Sequence, residues 1–228
     1  MTTRSTYDVT LADTTGMKRL ITATQYARNP RGVTAAGWTG SGAGGAFTRQ
    51  HVANGGPAVA PSFVRNAITA VPTGADITTV FGQASGFTNI DTADVGKAFY
   101  LSAYARCSKA MSLDATGCRV VIGWYDANGT FIANSSTHGA GKALAANTWT
   151  LLPNVSAVAP AGAAWASIQV NFPAARVNGG VAVGDTFDAT GFLLTTSNTA
   201  YFDGDSGPGA EWTGTAHASR STKIIGVG

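Results

Sequence analysis

The chain is poor in charge. Only 12 % of its 228 residues are Asp, Glu, Lys or Arg, about half the usual share. The net charge is +3, and no run of Lys or Arg reaches three residues, which does not make a nucleic-acid surface. No apolar stretch approaches the length of a membrane span, and residues 1–16 lack the apolar core of a secretory signal. The expected product is therefore made in a cytoplasm and is not exported by the usual route. The chain has two cysteines, Cys107 and Cys118, 11 positions apart, and three histidines, His51, His138 and His217, far apart in sequence. That spacing offers no metal-ligand cluster. The thiols read either as free or as a disulfide formed after release.

What the chain has in quantity is glycine, 29 residues, within a composition that is 44 % hydrophobic. Disorder needs few apolar residues and high net charge, and this chain has neither. Period-2 alternation recurs from end to end, whereas helical periodicity is nearly absent. It predicts strands at residues 19–26, 46–52, 62–71, 98–107, 119–125, 130–133, 148–155, 165–172 and 186–194. Asp126-Ala127-Asn128-Gly129 predicts a hairpin turn, since Asn-Gly supplies positive φ. Many short strands between Gly- and Pro-bearing turns predict an all-β fold, a two-sheet antiparallel sandwich of the jelly-roll kind. No repeat or linker divides residues 21–228. Residues 1–20 are polar, with Tyr7, Val9, Leu11 and Met17 as apolar anchors, and read as an arm that orders on docking to a neighbour.

Alternation also assigns faces. Phe99, Leu101, Ala103 and Ala105 fall on one side of their strand, with Tyr100, Ser102, Tyr104 and Arg106 on the other. Ala166, Ile168, Val170 and Phe172 form a second core row, leaving Trp165, Ser167, Gln169 and Asn171 opposite. A sugar ring presents an apolar C–H face and a rim of hydroxyls. The candidate carbohydrate-binding residues are therefore Trp165, Gln169 and Asn171, with Tyr104 and Arg106 on a strand expected in the same sheet, and Tyr125 beside them. Trp38, Trp149 and Trp212 read as packing residues. If the strands ending at Cys107 and beginning at Cys118 are antiparallel neighbours, the two thiols face each other across a hairpin mouth.

Other constellations point away from chemistry. Asp203-Gly204-Asp205 with Glu211 lacks the ligand spacing of an EF-hand and reads as a solvated turn, with calcium as the alternative. His217 and Ser219 do not supply an oriented base and third group. Residues 37–45 are Gly-rich but precede a strand, which makes a poor phosphate cradle. Only 12 acids are present, and no spacing picks out the facing pair that glycoside hydrolysis requires. No catalytic residue, metal or cofactor is expected.

Several segments resemble one family in order. Asn29-Pro30 followed by Gly37-Trp38 looks like its opening element. Val95-Gly96-Lys97, the turn at Asp126 to Gly129, Asn147-Thr148-Trp149-Thr150 and Phe187-Asp188-Ala189 resemble its central and late strands. Tyr201-Phe202-Asp203-Gly204-Asp205 through Glu211-Trp212 to Ser219 is similar to its closing signature. The family is the jelly-roll, carbohydrate-binding-module-like domain of minor tail and virion-surface proteins in phages of actinobacteria. The resemblance spans roughly residues 21–221 and implies a non-catalytic virion-surface protein aiding attachment to an actinobacterial cell-surface glycan. It further implies contact with other virion proteins through the arm, many copies or a homo-oligomer per particle, and neither nucleic-acid nor membrane partners. A purely architectural decoration protein and a module of a bacterial polysaccharide-degrading system are the alternatives. Where the family often carries an acid after Asn-Pro, this chain has Arg31-Gly32, which weighs against the calcium that such an acid can help hold. Asp188 matches the late-strand acid, but one carboxylate is not a calcium cage.

Overall fold

Alternation is realised most plainly at residues 98–107, where Phe99, Leu101, Ala103, Ala105 and Cys107 are fully buried and the intervening side chains are not. The computed structural model describes residues 19–34, 37–42, 46–73, 76–81, 88–113 and 116–227. The predicted arm lies outside these residues, except that Arg19 and Leu20 already belong to the first strand. In chain order the strands are β1 (Arg19–Gln25), β2 (Trp38–Gly42), β3 (Ala46–Val52), β4 (Phe63–Ala70), β5 (Asp76–Phe81), β6 (Ala98–Cys107) and β7 (Arg119–Tyr125). They continue as β8 (Thr137–His138), β9 (Thr150–Leu151), β10 (Val155–Val158), β11 (Trp165–Pro173), β12 (Thr186–Thr195), β13 (Ala210–Trp212) and β14 (Ser221–Val227). Among the described residues, the helical elements are two short 3-10 turns.

Two antiparallel sheets make the expected sandwich. One runs β10-β6-β12-β4-β3, with β9 also on β6, and the other β2-β5-β11-β7-β8. Their inner faces interdigitate through aromatics. Phe99 of β6 meets Trp124 of β7 edge-on at 5.3 Å, and Phe172 of β11 meets Phe187 of β12 at the same distance. Such edge-to-face pairs add to the area they bury.

A third sheet, β1-β14-β13, joins the two ends of the described chain. Gln25 anchors it to β12. Its amide donates to the Phe192 carbonyl at 2.7 Å and accepts from the Leu194 N–H at 2.8 Å, at a break in register where Gly191 takes φ +61°.

Three sequence expectations are corrected. Residues 130–133 form no strand. Phe131 makes one bridge to Tyr125, and the chain turns away at Asn134, which has φ +58°. The 148–155 strand is two pieces, β9 and β10, separated at Pro153, a residue with no N–H for the ladder. β6 and β7 follow one another in sequence but enter opposite sheets, so Cys107 and Cys118 do not face across a hairpin mouth. Both are buried free thiols. Burial pushes Cys107 up to about 11 and holds Cys118 well above its ordinary value, with Cys107 adding to the latter.

Candidate functional site

The six sequence-selected residues do not share one surface. Tyr104 and Arg106 lie on β6, whereas Tyr125, Trp165, Gln169 and Asn171 lie on β7 and β11 of the opposite sheet. Because both sets point away from the common core, they face opposite sides of the sandwich. The expected shared sheet is thereby corrected.

On the five-stranded sheet the outward row is mostly enclosed. Trp165 is 4 % exposed and Ser167 1 %. Trp165 and Tyr125 are cross-strand partners whose rings stack at 4.2 Å and 7°. Phe131 packs edge-on against Tyr125 at 5.5 Å, and Gly129 of the turn lies beside the Trp165 ring. That turn forms as expected, with Gly129 at φ +82° and the Asp126 carboxylate accepting from the Asn128 and Thr130 N–H groups. Asn171 is buried and donates to Asp76 at 3.0 Å. Gln169 alone of this β11 row keeps a partly open side chain.

The outer face of the six-stranded sheet is built differently. Its fixed end is Asp188 of β12, 1 % exposed and held by two guanidinium groups. Arg65 donates to both carboxylate oxygens at 2.9 Å, and Arg106 donates to Oδ2 at 2.9 and 2.7 Å. Arg106 is sandwiched between rings, 4.9 Å from the Phe63 centroid and 4.5 Å from that of Trp149. Trp149 Nε1 in turn donates to the Gly55 carbonyl at 2.7 Å. Arg106 is thus committed to charge pairing and stacking.

Beyond Arg106, this face opens into a trough of about 460 Å³. It is lined by Tyr104 and Ser102 of β6, by Leu151, the β9 partner of Tyr104, and by Val59, Lys142, Asn154 and Tyr201 among others. Leu151 is 51 % exposed and Val59 48 %. The surface therefore offers aromatic rings and aliphatic patches flanked by hydroxyls, an amide and the exposed Lys142 ammonium. That mixture suits a ligand with apolar C–H faces and hydroxyl edges. No Asp or Glu lines it among the described residues.

A second hollow of about 410 Å³ shares Val59 and Tyr201 with the trough and leads to Arg31 and the closing segment. There Arg31, which follows Asn29-Pro30, pairs with Asp203 at 2.6 Å and with Asp205. Tyr201 donates its hydroxyl to Asp203 at 2.8 Å, and Trp212 Nε1 donates to Asp205 at 2.9 Å. Burial pushes the Asp205 carboxyl up. The Trp212 N–H, Arg31 and His217 outweigh it and hold the group below its ordinary value. Of the aromatics in the closing segment, Phe202 is fully enclosed while Tyr201 and Trp212 stay partly open. Among the described residues, no group of three or more His, Cys, Asp or Glu is placed to hold a metal ion.

Of the residues that line the trough, sequence reading singled out Tyr104 and not Leu151, Asn154, Val59 or Tyr201. Leu151 and Val59 are exposed apolar residues in short or turn-rich segments, a weak but usable signal.

No protein-family model matches the chain, and no curated protein resembles it in sequence. Solved structures do resemble it. The enzymatically active domain of bacteriophage CBA120 tailspike protein 4 is 17 % identical over 75 % of this chain, with a TM-score of 0.50; the match spans 21 % of that chain. The CBM22-2 xylan-binding domain of Paenibacillus barcinonensis Xyn10C is 10 % identical over 78 % of this chain and 99 % of its own, with a TM-score of 0.45. A CBM61 module in complex with beta-1,4-galactotriose is 12 % identical over 75 % of this chain and 97 % of its own, with a TM-score of 0.39. At such identities the likeness to the tailspike domain is one of fold, and the fold is a β-sandwich.

Proposed function

We propose that this chain is a non-catalytic, sugar-binding sandwich domain of a phage virion-surface protein, and that its glycan site is the trough over Tyr104. The observation that carries the reading is the trough itself, with its partly open ring, aliphatic patches and hydroxyl and amide groups on one accessible face. The virion setting rests on the ordered sequence resemblance, and a fold shared with a tailspike domain is compatible with it. No carboxylate lines the trough among the described residues, so it supplies neither member of the pair that hydrolysis requires. Residues 1–18 serve in this reading as the attachment to other virion proteins. Many copies on one particle then raise a weak single-site affinity by linking binding events.

The test is a glycan array and cell-wall binding assay on multivalent protein, comparing the parent with Tyr104→Ala and Asn154→Ala. The parent is expected to bind a cell-surface glycan. Tyr104→Ala should lose about tenfold or more in affinity, equivalent to about 1.4 kcal/mol, with its Tm within a few degrees of the parent. No binding by the parent would favour an architectural role, and undiminished binding by both variants would clear the trough.

A further inference from the structure

We propose that the cleft where the opening and closing segments meet is an anion site, which takes a carboxylate or phosphate group carried on a hydroxyl-rich polymer. The cleft has a volume of about 490 Å³ and is lined by Arg28, Asn89, Asp91, Thr213, Ser219 and Arg220 among others. Three stretches far apart in sequence build it, and none of its lining residues belongs to the Tyr104 trough.

Its two arginines are held very differently. Arg220 is fixed through both Nη groups and its stacked face. Its Nη1 donates to both Asp91 oxygens at 2.9 and 3.0 Å, its Nη2 donates to the Asn89 carbonyl, and its Cζ sits 4.7 Å over the Tyr26 ring. Arg28 has no hydrogen-bond or ion-pair partner among the described residues. Its Nε is shut off from solvent, as is that of Arg220, whereas its two Nη groups are not enclosed and are the ones a ligand in the cleft can reach. A buried N–H without an acceptor is costly, and a guanidinium is shaped to give two parallel N–H groups to one oxyanion. Asp91 neutralises Arg220, so Arg28 remains the uncompensated positive charge of the cleft.

The remaining groups suit the rest of such a ligand. Asp91, 58 % exposed at its side chain, presents carboxylate oxygens at the rim that can accept from hydroxyls. Thr213 donates its hydroxyl to the Arg220 carbonyl at 3.0 Å, and Ser219 donates to the Thr215 carbonyl at 3.0 Å, leaving both oxygens free to accept. Donors for an anion beside acceptors for hydroxyls describe an acidic glycan, either a uronate polymer or a sugar- or glycerol-phosphate polymer.

The experiment titrates the full chain with polygalacturonate, with poly(glycerol phosphate) and with neutral dextran, following arginine Nε signals by NMR and heats by calorimetry. At least one acidic polymer should bind, move the Arg28 Nε signal and weaken as salt rises, while dextran leaves that signal still. Binding of only one acidic polymer identifies the anion. Arg28→Gln should lose tenfold or more in affinity at unchanged Tm, and Tyr104→Ala should lose nothing here, which separates this site from the trough. Should Arg28→Gln fail to fold, Arg28→Lys decides, because it keeps the charge but loses the paired N–H geometry and should bind more weakly. Failure of both acidic polymers, or full affinity in the Arg28 variants, would overturn the proposal.

Discussion

The two outer faces of the sandwich carry nearly the same sequence texture, and the structure gives them opposite fates. On β11 an aromatic followed by Ser, Gln and Asn is enclosed. Trp165 lies flat against Tyr125 beneath the 126–130 turn, and Asn171 donates to Asp76. On β6 the row Ser102, Tyr104 and Arg106 is closed only at the Arg106 end, where Asp188, Phe63 and Trp149 take up the guanidinium. The middle of that row stays open beside Leu151 and Val59. An aromatic with polar face-mates is thus either a platform or a lid, and the loops that cross the sheet decide which.

Mutations should separate the two faces. The largest effect is expected for Trp165→Ala, which removes a buried ring from a stacked pair and should cost about 3–5 kcal/mol by urea denaturation, with glycan affinity per folded molecule unchanged. A stable Trp165→Ala protein that no longer binds sugar would reverse the assignment of the faces. Asp188→Ala comes next. It strands two guanidinium groups, and because Arg65 is 30 % and Arg106 17 % exposed at their side chains, the loss should sit near the lower end of the range for a broken buried pair, about 3 kcal/mol.

The hollow leading to the closing segment should respond to acid. Burial and then Arg31 lower the His217 pKa, so folding favours its neutral form. The stability this contributes is complete above the ordinary histidine value of 6.5 and declines as pH falls below it. Asp205 and Asp94 are also held below their ordinary value, Asp94 by Lys97 and Tyr26 against the effect of burial. Their contribution is present above about pH 4 and is lost as pH falls through their lower folded values. Thermal melts across pH should therefore show a small early decline that His217→Gln removes and a larger late one that it leaves. A flat profile down to pH 4 in the parent would contradict the histidine part. The smallest effect is expected for Gln169→Ala, within about 0.5 kcal/mol in stability and with no change in binding.

Much of the fold was legible because alternation is local. β6, β7, β11 and β12 stand close to where period 2 places them, and the buried rows Phe99 to Ala105 and Ala166 to Phe172 are correct. The strands that reading missed, such as β2, β5 and β14, are short, Gly-bearing or near the chain end, and their pairing depends on distant partners. Sheet membership was illegible for the same reason. Nothing within Cys107 to Cys118 says that the chain crosses from one sheet to the other. The trough was legible only through Tyr104, because Val59, Asn154 and Tyr201 reach it from segments separated by many residues. The exchange of an acid for Arg31 was visible in the sequence, but its partners Asp203 and Asp205 were visible only in the fold.

The most direct measurement is chemical-shift mapping of the labelled chain with the glycan that the proposed trough is expected to bind. Perturbations should concentrate on Ser102, Tyr104, Leu151 and Asn154 and spare Gln169 and the Trp165 indole. Perturbations centred on Trp165, Gln169 and Asn171, with Tyr104 unmoved, would place the sugar on the opposite sheet and contradict the assignment of the trough.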